Sequence, residues 1–594
     1  MTTLNGIFKT GIINTGPDWS VYSDGKLTVF FHGSVFLSGV ADNPCQNPPA
    51  YIASQYLKSG LDCFRHLDGT FLVMLKDGNS LYFHRDRFGS GQQLYYNQTG
   101  FSTNMNNLSE ITNSEQVADW ENLTGFLQFG YIPAPGTGLK GVNKLPSGYL
   151  LTWDGNALSS SDLFFSSDFH NVGSSSGLKM EEAIEQYHTL HLNAIRKRIA
   201  GADNVGVLLS GGYDSAGNIA ALREIYNGKV QAFSVGFKDN PWSEIPLARQ
   251  MAERSGAEFH QYEIDGSELG EIPELIRQLG DPFQEGGMMV NFAAMRLASG
   301  FKPDVILGGD GNDQHHGTFA RELALNHFIR KSGINFLQKG FYNFTNSLTE
   351  AKDDNLFRYG FHNRKILNIL TMDAFGFSKG ELKALGLNKP DINRYGAPAG
   401  IKPSGDFDEF FFQRQYLVDV KQVINEIILF KAGQNAALRG MNIAFPYMDM
   451  ELAKFIAGLP RELRFQGSYA DLLKGKGKSK VLHKNLYSSS MPDALSMKKK
   501  QGGFAPLPLF FQSADNLNLT EKIILQSGLA DSGINMSWIA QFIKRYRQEN
   551  QKASNWFWYS QVQAFKLFNL LVLAVWWEST FNGKSVNKLE ELIK

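Results

Sequence analysis

Two patterns of hydrophobic and polar positions divide the chain. Up to about Asp154, short apolar runs alternate with Gly, Asp and Asn residues, which predicts β-strands at residues 27–31, 71–75 and 81–84. A helical period then runs from residue 180 to residue 199. Residues 159–177, between the two parts, are irregular and rich in serine, as expected of a linker between domains.

Beyond residue 204, short apolar runs alternate with amphipathic stretches. The apolar runs predict strands at residues 205–209, 230–235, 259–264 and 305–307. The amphipathic stretches predict helices at residues 216–226, 246–255 and 272–279. Strands and helices that alternate at this spacing are typical of an α/β fold with a doubly wound parallel sheet. The chain from about Thr318 onwards is mostly helical in pattern and rich in aromatic residues, which predicts a helical C-terminal extension.

Length and composition indicate the number of domains and limit the classes of partner. A chain of 594 residues exceeds one hydrophobic core, so we predict an N-terminal domain at 1–158, a linker at 159–179 and a larger domain at 180–594. The formal net charge is zero, which argues against nucleic acid and anionic membrane as partners. Two cysteines, Cys45 and Cys63, are too few for a disulfide framework or a four-cysteine zinc site.

The longest apolar stretch, residues 568–577, is too short to cross a bilayer and predicts a buried C-terminal helix. The N-terminus lacks a charged segment followed by an apolar run, so we expect no signal peptide and a cytoplasmic protein.

The segment richest in chemistry is VGVLLSGGYDSAGNIAALREIY, in which an apolar strand runs into Ser210, Gly211 and Gly212 and a helix opens near Asp214 and Ser215. Two glycines allow the backbone to approach a ligand, and the N–H groups of the turn and of the helix start would face an anion. The two serine hydroxyls add donors. A carboxylate does not bind phosphate directly, so Asp214 suggests a magnesium ion that bridges to phosphate oxygens. An ordinary glycine-rich turn is the simpler alternative.

SGGYDS after a strand resembles the PP-loop of the ATP pyrophosphatases, and within that group the chain resembles the asparagine synthetase family almost end to end. Similar segments are LDGTFLVMLKDGNSLYFHRDRFGSGQQLYY, YIPAPGTGLKGVNKLPSGYLL, AFSVGF, GGDGNDQHHG, ALRGMNIAFPYMD and KKKQGGF. The resemblance implies an N-terminal glutaminase-like domain of the αββα N-terminal-nucleophile type, followed by an ATP-binding synthetase domain. ATP and Mg²⁺ are the cofactors it implies.

The resemblance also implies roles for individual residues. The PP-loop serines, glycines and Asp214 would lie at the pyrophosphate end of ATP, with Val235 and Gly236 holding adenine or ribose through the backbone. In GGDGNDQHHG, Gly309 would contact ATP, and Asp313 would pair with Asp214 across the metal. Carboxylates that follow parallel strands meet at the edge where such sheets bind ligands. The simpler reading of GDGND is a loop of solvated turn residues.

Lys500, in KKKQGGF, is the first candidate for a catalytic residue. In the family, the lysine of this loop contacts the phosphates, and a flexible cation can close on developing negative charge. Lys498 and Lys499 beside it leave a solvated basic run as the alternative. In GKGKSK, Lys478 and Lys480 are further candidates on the phosphate side.

Two residues are expected on the substrate side. Asp281, in GDPF, matches a substrate-proximal acidic position, and Asn442 stands where asparagine synthetases usually have a glutamate. Asparagine cannot act as a general base. Gly433 and Gln434 also replace residues that are usually charged.

The nucleophile of the glutaminase-like domain is missing from its expected place. Active family members begin Met-Cys-Gly-Ile, and the N-terminal cysteine attacks glutamine with its own amine as base. The matching segment is Asn5-Gly6-Ile7, and a carboxamide is not a nucleophile. Thr2 is three residues out of register, and His32-Gly33-Ser34 replaces the usual Asn-Gly-Glu. We therefore expect no glutaminase activity.

The sequence thus predicts an ATP-dependent, AMP-forming carbon–nitrogen ligase that adenylates a carboxylate and forms an amide or lactam. The loss of the glutaminase site favours an amine carried by the substrate, as in lasso-peptide cyclases and β-lactam synthetases. The partners would be a carboxylate-bearing small molecule or precursor peptide and a processing protein. Alternatives are asparagine synthesis from free ammonia, a tRNA-modifying PP-loop enzyme and a scaffold without catalysis.

Overall fold

The computed structural model describes residues 3–37, 45–163, 177–238, 243–333, 361–362, 364–372, 374–397, 401–491, 505–549 and 557–593. Statements below on structure refer to these residues. None of the helices in these ranges is both long and apolar enough to cross a membrane.

Eighteen strands lie in the described ranges, and their bounds follow in chain order. They are β1 (Leu4–Ile7), β2 (Ile13–Thr15), β3 (Ser20–Ser23), β4 (Leu27–Val35), β5 (Gly69–Asp77), β6 (Ser80–Arg85), β7 (Tyr95–Tyr96), β8 (Gly100–Ser102), β9 (Asn143–Lys144), β10 (Tyr149–Trp153), β11 (Leu158–Asp162), β12 (Asn204–Leu208), β13 (Lys229–Phe237), β14 (Glu258–Ile264), β15 (Val305–Leu307), β16 (Ile443–Ala444), β17 (Phe465–Gln466) and β18 (Lys478–Ser479).

The α-helices are numbered in the same way. They are α1 (Pro48–Ser59), α2 (Met105–Thr112), α3 (Trp120–Phe129), α4 (Met180–Ile199), α5 (Tyr213–Ile225), α6 (Ile245–Arg254), α7 (Ile272–Leu279), α8 (Met288–Ser299), α9 (Asn312–His316), α10 (Ala320–Lys331), α11 (Lys379–Ala384), α12 (Phe407–Arg414), α13 (Leu429–Leu438), α14 (Met450–Gly458), α15 (Arg461–Arg464), α16 (Tyr469–Leu473), α17 (Val481–Tyr487), α18 (Ala514–Gln526), α19 (Met536–Glu549) and α20 (Phe557–Thr580). A π-helical stretch, Gln415–Ile428, joins α12 to α13.

The N-terminal part is a sandwich of two sheets, with strand orders β2-β1-β8-β7-β9 and β11-β10-β6-β5-β4-β3. Successive residues of a strand point to opposite faces, and β5 shows what this does. Leu72 and Met74 face the layer between the sheets, whereas Phe71, Val73 and Leu75 pack with α1. With α2 packed on β1 and β8, the order of layers is the αββα arrangement that the family resemblance implied.

β11 pairs with β10 along its whole length, so the N-terminal sheet continues to Asp162. This strand takes up the first part of the serine-rich segment predicted as a linker. A serine-rich segment can form an edge strand when the neighbouring strand supplies the hydrogen-bond partners in register. Composition alone does not show that register.

The second part contains a five-stranded parallel sheet in the order β14-β13-β12-β15-β16. Helices cover both faces, as a parallel sheet requires. Val205 and Val207 pack with α4 and α5 on one face, and Phe233 and Ile306 pack with α8 and α13 on the other. The prediction of a doubly wound sheet is confirmed, and α4, α7 and β15 have their predicted bounds.

The two parts share one apolar core. Phe126 of α3, Ile276 of α7 and Phe568 of α20 belong to the same buried cluster, although they are distant in sequence. The stretch at residues 568–577 therefore lies in a buried helix, as predicted. Gly433 of α13 lies so close to the N-terminal part that a Cβ atom there would be 2.0 Å from the Ser90 carbonyl oxygen.

Candidate active site

The loop predicted to bind phosphate lies at the carboxyl edge of the parallel sheet, between β12 and α5. The backbone N–H of Ser210 donates to Ser215 Oγ (3.1 Å), and that hydroxyl donates to the Ser210 carbonyl oxygen (3.0 Å). The N–H of Gly212 donates to Ser210 Oγ (3.2 Å). These bonds hold the turn in a shape whose amides sit at the N-terminus of a helix of 13 residues.

One amide of this loop already binds a negatively charged oxygen. The N–H of Gly211 donates to Glu244 Oε2 at 3.1 Å, and Glu244 lies just before α6. A carboxylate oxygen is chemically a fair stand-in for a phosphate oxygen as an acceptor. The contact shows that this amide faces an anion, which fits the predicted role of the loop.

A second loop, between β15 and α9, packs directly against the first. A Cβ atom on Gly309 would lie 3.1 Å from the Ser215 nitrogen, so only glycine allows this approach without displacement. The side chain of Asn312 donates to Asp214 Oδ1 at 2.7 Å. The two acidic loops are thereby joined at one edge of the sheet.

Lys480 connects the two predicted metal ligands. Its Nζ lies 2.5 Å from Asp214 Oδ2 and 2.9 Å from Asp313 Oδ1. Burial alone would lower the pKa of Lys480, but the two carboxylates outweigh it and raise the pKa above its ordinary value. Although Lys480 is only 6% exposed, the two carboxylates therefore keep it a charged ammonium within this site.

A further carboxyl group lies beside this cluster. Burial raises the pKa of Asp310 to about 6, and the charges of Asp214, Glu285 and Asp313 add to the effect against the opposing charge of Lys431. Repulsion among neighbouring carboxylates is relieved by a cation, which in this structure is the Lys480 ammonium. Oxygen donors of this kind suit Mg²⁺, so Asp214 and Asp313 fit the metal that the resemblance implied.

Lys480 holds its position through the backbone as well. It has a φ of 59°, in the left-handed region, and it immediately precedes α17. A residue other than glycine in this region costs about 1 kcal/mol or more, which the surrounding structure must offset. Behind it, His483 Nε2–H donates to the Tyr213 carbonyl oxygen (2.8 Å), which ties α17 to the start of α5.

These loops enclose a cavity of about 450 Å³, which we call the phosphate-loop cavity. Its lining includes all of residues 208–215 together with Val235, Gly309, Asp313 and Lys480. A second cavity of about 680 Å³, the inner cavity, shares Asp214, Asp310, Asp313 and Lys431 with the first. The shared walls place a second binding volume directly beside the phosphate loop.

The structure brings most of the predicted nucleotide residues together. Ser210, Gly211, Gly212, Asp214, Ser215, Val235, Gly309 and Asp313 all line the phosphate-loop cavity. Gly236 lies beside it rather than in its lining, where a Cβ atom would be 2.5 Å from Ser243 Oγ. Lys500 lies outside the described residues, so its role stays a prediction.

Three predicted site residues lie elsewhere. Lys478 is exposed on β18, and its neighbour two positions on, Lys480, makes the contacts with the carboxylates. The sequence offered both lysines as candidates on the phosphate side, because a pattern alone does not tell which of the two points inwards.

Asn442 and Asp281 are also away from both cavities. Asn442 precedes β16 and its amide points to the Asp304 carbonyl oxygen, at the amino edge of the parallel sheet. Asp281 is buried between the two parts of the chain, where it accepts from Lys144 Nζ (2.8 Å) and from the Gly138 N–H (2.8 Å). The structure thus gives Asn442 a backbone contact and Asp281 an ion pair between domains, and their expected roles at the substrate stay predictions.

In the N-terminal part, Asn5 lies inside a sheet. It is the second residue of β1 and pairs with Asn14 on one side and Ser102 on the other. Its side-chain oxygen accepts from Asn14 Nδ2 at 3.2 Å. Burial lowers the pKa of His32, which lies against Trp19 with ring centroids 5.5 Å apart.

Comparison with known families agrees with this geometry. A family model described as asparagine synthase matches residues 188–577, which include both loops, Lys480 and most of the inner cavity. A second model, described as a glutamine amidotransferase domain, matches residues 51–164. The second match begins after the segment that contains Asn5 and His32.

Individual relatives carry similar names. The chain is 22% identical over 521 residues to asparagine synthetase [glutamine-hydrolyzing] 1 of Bacillus subtilis, covering 85% of this chain and 76% of the relative. It is 25% identical over 284 residues to a putative asparagine synthetase [glutamine-hydrolyzing] 2 of Methanocaldococcus jannaschii. That match covers 46% of this chain and 54% of the relative, so the chain spans about half of that protein's length.

Among solved structures, a U34-tRNA thiolase from Methanococcus maripaludis aligns with 34% of this chain and 74% of its own, at 16% identity and a TM-score of 0.17. A glutamine phosphoribosylpyrophosphate amidotransferase from B. subtilis aligns with 50% of this chain and 64% of its own, at 10% identity and a TM-score of 0.16. Superpositions with scores this low carry no argument about the site.

Proposed function

Because the chain belongs to the asparagine synthase family, we propose that it adenylates a carboxylate with ATP and passes the acyl group to an amine. The observation that carries the proposal is the Lys480 ammonium, which bridges Asp214 and Asp313 beside the phosphate loop. A scaffold without catalysis gains nothing from three buried or half-buried charges held at one edge of a sheet, since such charges are costly to desolvate.

The proposed reaction has two steps. A carboxylate oxygen attacks the α-phosphorus of ATP, the bond to the β-phosphate oxygen breaks, and pyrophosphate leaves. The amine nitrogen then attacks the carbonyl carbon of the acyl-adenylate, AMP leaves with the bonding electron pair, and the nitrogen loses one proton. The product is an amide or, when acid and amine belong to one molecule, a lactam.

The residues of the site divide the work of the first step. The amides of Gly211 and Gly212 and the hydroxyls of Ser210 and Ser215 would hold the pyrophosphate group, as fixed donors that need no reorganisation. Asp214 and Asp313 would hold Mg²⁺, which supplies charge neutralisation at the phosphate oxygens. Lys480 adds a positive charge in a partly desolvated place, and Lys500 would add a second one.

We further propose that the amine does not come from glutamine. An N-terminal cysteine acts through its free α-amine, whereas the backbone of Asn5 is paired on both sides within a sheet. This arrangement supports a ligase that uses an amine already carried by a substrate, in biosynthetic amide or macrolactam formation of the lasso-cyclase or β-lactam-synthetase kind.

The test is the nucleotide product. The purified chain, with Mg²⁺ and a panel of carboxylic acids, is expected to exchange labelled pyrophosphate into ATP and to release AMP. Asp214→Asn and Asp313→Asn should each lower the exchange by about a hundredfold, because each removes a carboxylate that would hold the Mg²⁺ ion at the phosphate oxygens. Release of ADP and phosphate, or full exchange in both variants, would contradict the proposal.

A further inference from the structure

The inner cavity has an unusually apolar wall for a site beside a charged nucleotide loop. Phe129, Tyr131, Met372, Phe375, Ile427 and Phe565 all line it. Its volume of about 680 Å³ is in the range that holds drug-sized ligands, which is far more than a four-carbon amino acid fills. The wall therefore suits a large apolar body.

The cations that line this cavity in the described part of the chain are mostly paired with protein groups. Arg414 donates to Asp419 (2.9 Å) and to the carbonyl oxygens of Ile369 (2.6 Å) and Thr371 (2.9 Å). Lys431 forms an ion pair with Glu285.

Arg321, the third cation of this lining, is exposed. A substrate with a second carboxylate, such as free aspartate, needs a buried cation to offset its desolvation. The described lining offers such a substrate no buried cation that is not already in an ion pair.

The wall is formed by unusual and by distant segments. Val423, Ile427 and Ile428 come from the π-helical stretch, whose wider turns alter which side chains face the cavity. π-Helical turns are rare and are frequent at functional sites. Phe129 and Tyr131 come from the N-terminal part, 300 residues away, so the domain that lost its nucleophile supplies part of this wall.

We propose that the acid activated here carries one reacting carboxylate on a large aromatic or aliphatic body, which binds in the inner cavity. The reaction in this inference rests on the proposed adenylation, whereas the chemical class of the ligand rests on the cavity alone. The carboxylate lies at the shared edge near Asp310, Asp313 and the phosphate loop, where magnesium and the lysines offset its charge. The apolar body lies against the aromatic wall and excludes water from the reacting atoms.

Two kinds of substrate carry a carboxylate on an apolar body. One is a free aryl or alkyl acid, and the other is a peptide in which apolar residues flank the carboxylate. The experiment separates them with three probes: L-aspartate, 6-phenylhexanoate and an acetylated peptide Phe-Leu-Asp-Phe-Leu with an amidated C-terminus. Two readouts are taken on the full chain, pyrophosphate exchange with ATP and binding by calorimetry in the presence of a non-hydrolysable ATP analogue.

Val423→Trp is the test variant, since Val423 lines the cavity and is half-buried, so that a larger side chain takes up part of the cavity volume. Val117→Trp is the matched control, because Val117 is 40% exposed and lies outside the cavity. Loss of about one methylene-sized contact is worth roughly tenfold in apolar pockets, so a filled cavity should weaken the apolar probes by at least that factor. If Val423→Trp fails to fold, Val423→Ala serves as the second test variant. It should change the affinity for the two apolar probes and leave the affinity for L-aspartate unchanged.

The expected result is at least tenfold tighter binding of 6-phenylhexanoate or of the peptide than of aspartate, lost in Val423→Trp and kept in Val117→Trp. Whichever of the two apolar probes binds shows whether the substrate is a free acid or a peptide. Apolar binding without any exchange would uphold this inference and contradict the proposed adenylation. Aspartate bound more tightly than both apolar probes, no binding of either apolar probe, or apolar binding that neither Val423 variant changes, would overturn the inference.

Discussion

At the scale of single residues, the site depends on which of several similar side chains points inwards. Lys480 contacts both acidic loops, whereas Lys478, two residues earlier on β18, is exposed. Ser210 and Asp214 could be found from sequence, because their function follows from a contiguous strand–turn–helix pattern. Lys480 could not be singled out, since its choice over Lys478 depends on a left-handed backbone that places Nζ between two distant loops.

The first prediction concerns this lysine. Lys480→Met keeps most of the side-chain volume but leaves Asp214 and Asp313 facing each other without the ammonium. We expect exchange of pyrophosphate into ATP to fall by about a hundredfold to a thousandfold, the usual effect of removing one preorganised charge. Lys478→Met is the matched control and should leave the rate unchanged. Equal losses in both variants would indicate a diffuse basic surface rather than a defined contact.

At the scale of elements, β1 is the strand on which the predicted absence of glutaminase activity in the N-terminal part depends. The segment Asn5-Gly6-Ile7 occupies the place of an N-terminal nucleophile, yet it lies within a strand that is paired on both sides. Gly6 is required there, because a Cβ atom would lie 2.5 Å from the Ile12 carbonyl oxygen. Sequence predicted that the nucleophile is missing from the residues at this place, and the structure adds that the backbone of Asn5 is paired with β2 and β8.

The second prediction follows from this strand. Asn5→Cys restores the thiol but not a free α-amine, so the variant should still release no glutamate from glutamine. The measurement is glutamate production against a heat-inactivated sample, with free ammonia tested separately as a nitrogen source. Glutamine hydrolysis by Asn5→Cys would show that a thiol at this position needs no terminal amine.

At the scale of the whole molecule, a buried ion pair joins the two parts of the chain. Lys144 and Asp281 have side chains that are 9% and 5% exposed, with Nζ and Oδ2 at 2.8 Å. The family resemblance placed Asp281 near the substrate, and sequence could not show its ion pair because the partner lies 137 residues earlier, in the other domain. Short-range hydrophobic patterns predicted the parallel sheet correctly. Contacts between domains could not be predicted in this way, because they depend on how the folded parts are arranged.

The third prediction distinguishes these two roles of Asp281. Asp281→Asn leaves the Lys144 ammonium buried without its counter-charge, which costs about 3–5 kcal/mol. The unfolding temperature should therefore fall while the KM for ATP and acid stays unchanged. Glu258→Gln, which removes an exposed pair with Lys229, is the control and should cost less than about 1 kcal/mol. A raised KM at an unchanged unfolding temperature would instead support a substrate role.

Buried histidines set the acid limit of the fold. Burial lowers the pKa of His84, His315 and His483 to about 4 and of His191 to about 3, and it also lowers the pKa of His316 well below its ordinary value. These groups are neutral when folded and take up protons on unfolding, so their stabilisation is complete above about pH 6.5 and is lost as the pH falls towards 4. Asp68 and Asp310, whose pKa values are raised to about 6, act in the opposite direction, but they are fewer.

The fourth prediction is therefore a loss of stability between pH 6.5 and pH 4, measured by the unfolding temperature. His84 packs between Phe64 and Phe71, and its Nδ1–H donates to the Tyr149 carbonyl oxygen at 2.9 Å. His84→Phe should remove one titrating group and so reduce the pH slope by about 1.4 kcal/mol per pH unit. His66→Phe, at an exposed histidine, should leave the slope unchanged. A steeper slope in His84→Phe would contradict the sign of this argument.

The close approach of Gly433 to Ser90 has a consequence for engineering and for evolution. A hybrid protein that joins the N-terminal half of a relative to this synthetase half must bring a backbone that packs against Gly433 as the Ser90 carbonyl does here, at a place where a Cβ atom on residue 433 would lie 2.0 Å from that oxygen. Substitutions in the N-terminal half are therefore selected for fit to the other half, even where no reaction of its own depends on them. Libraries aimed at new acids should vary positions 129 and 131 together with those of the synthetase half, because residues of both halves line the inner cavity.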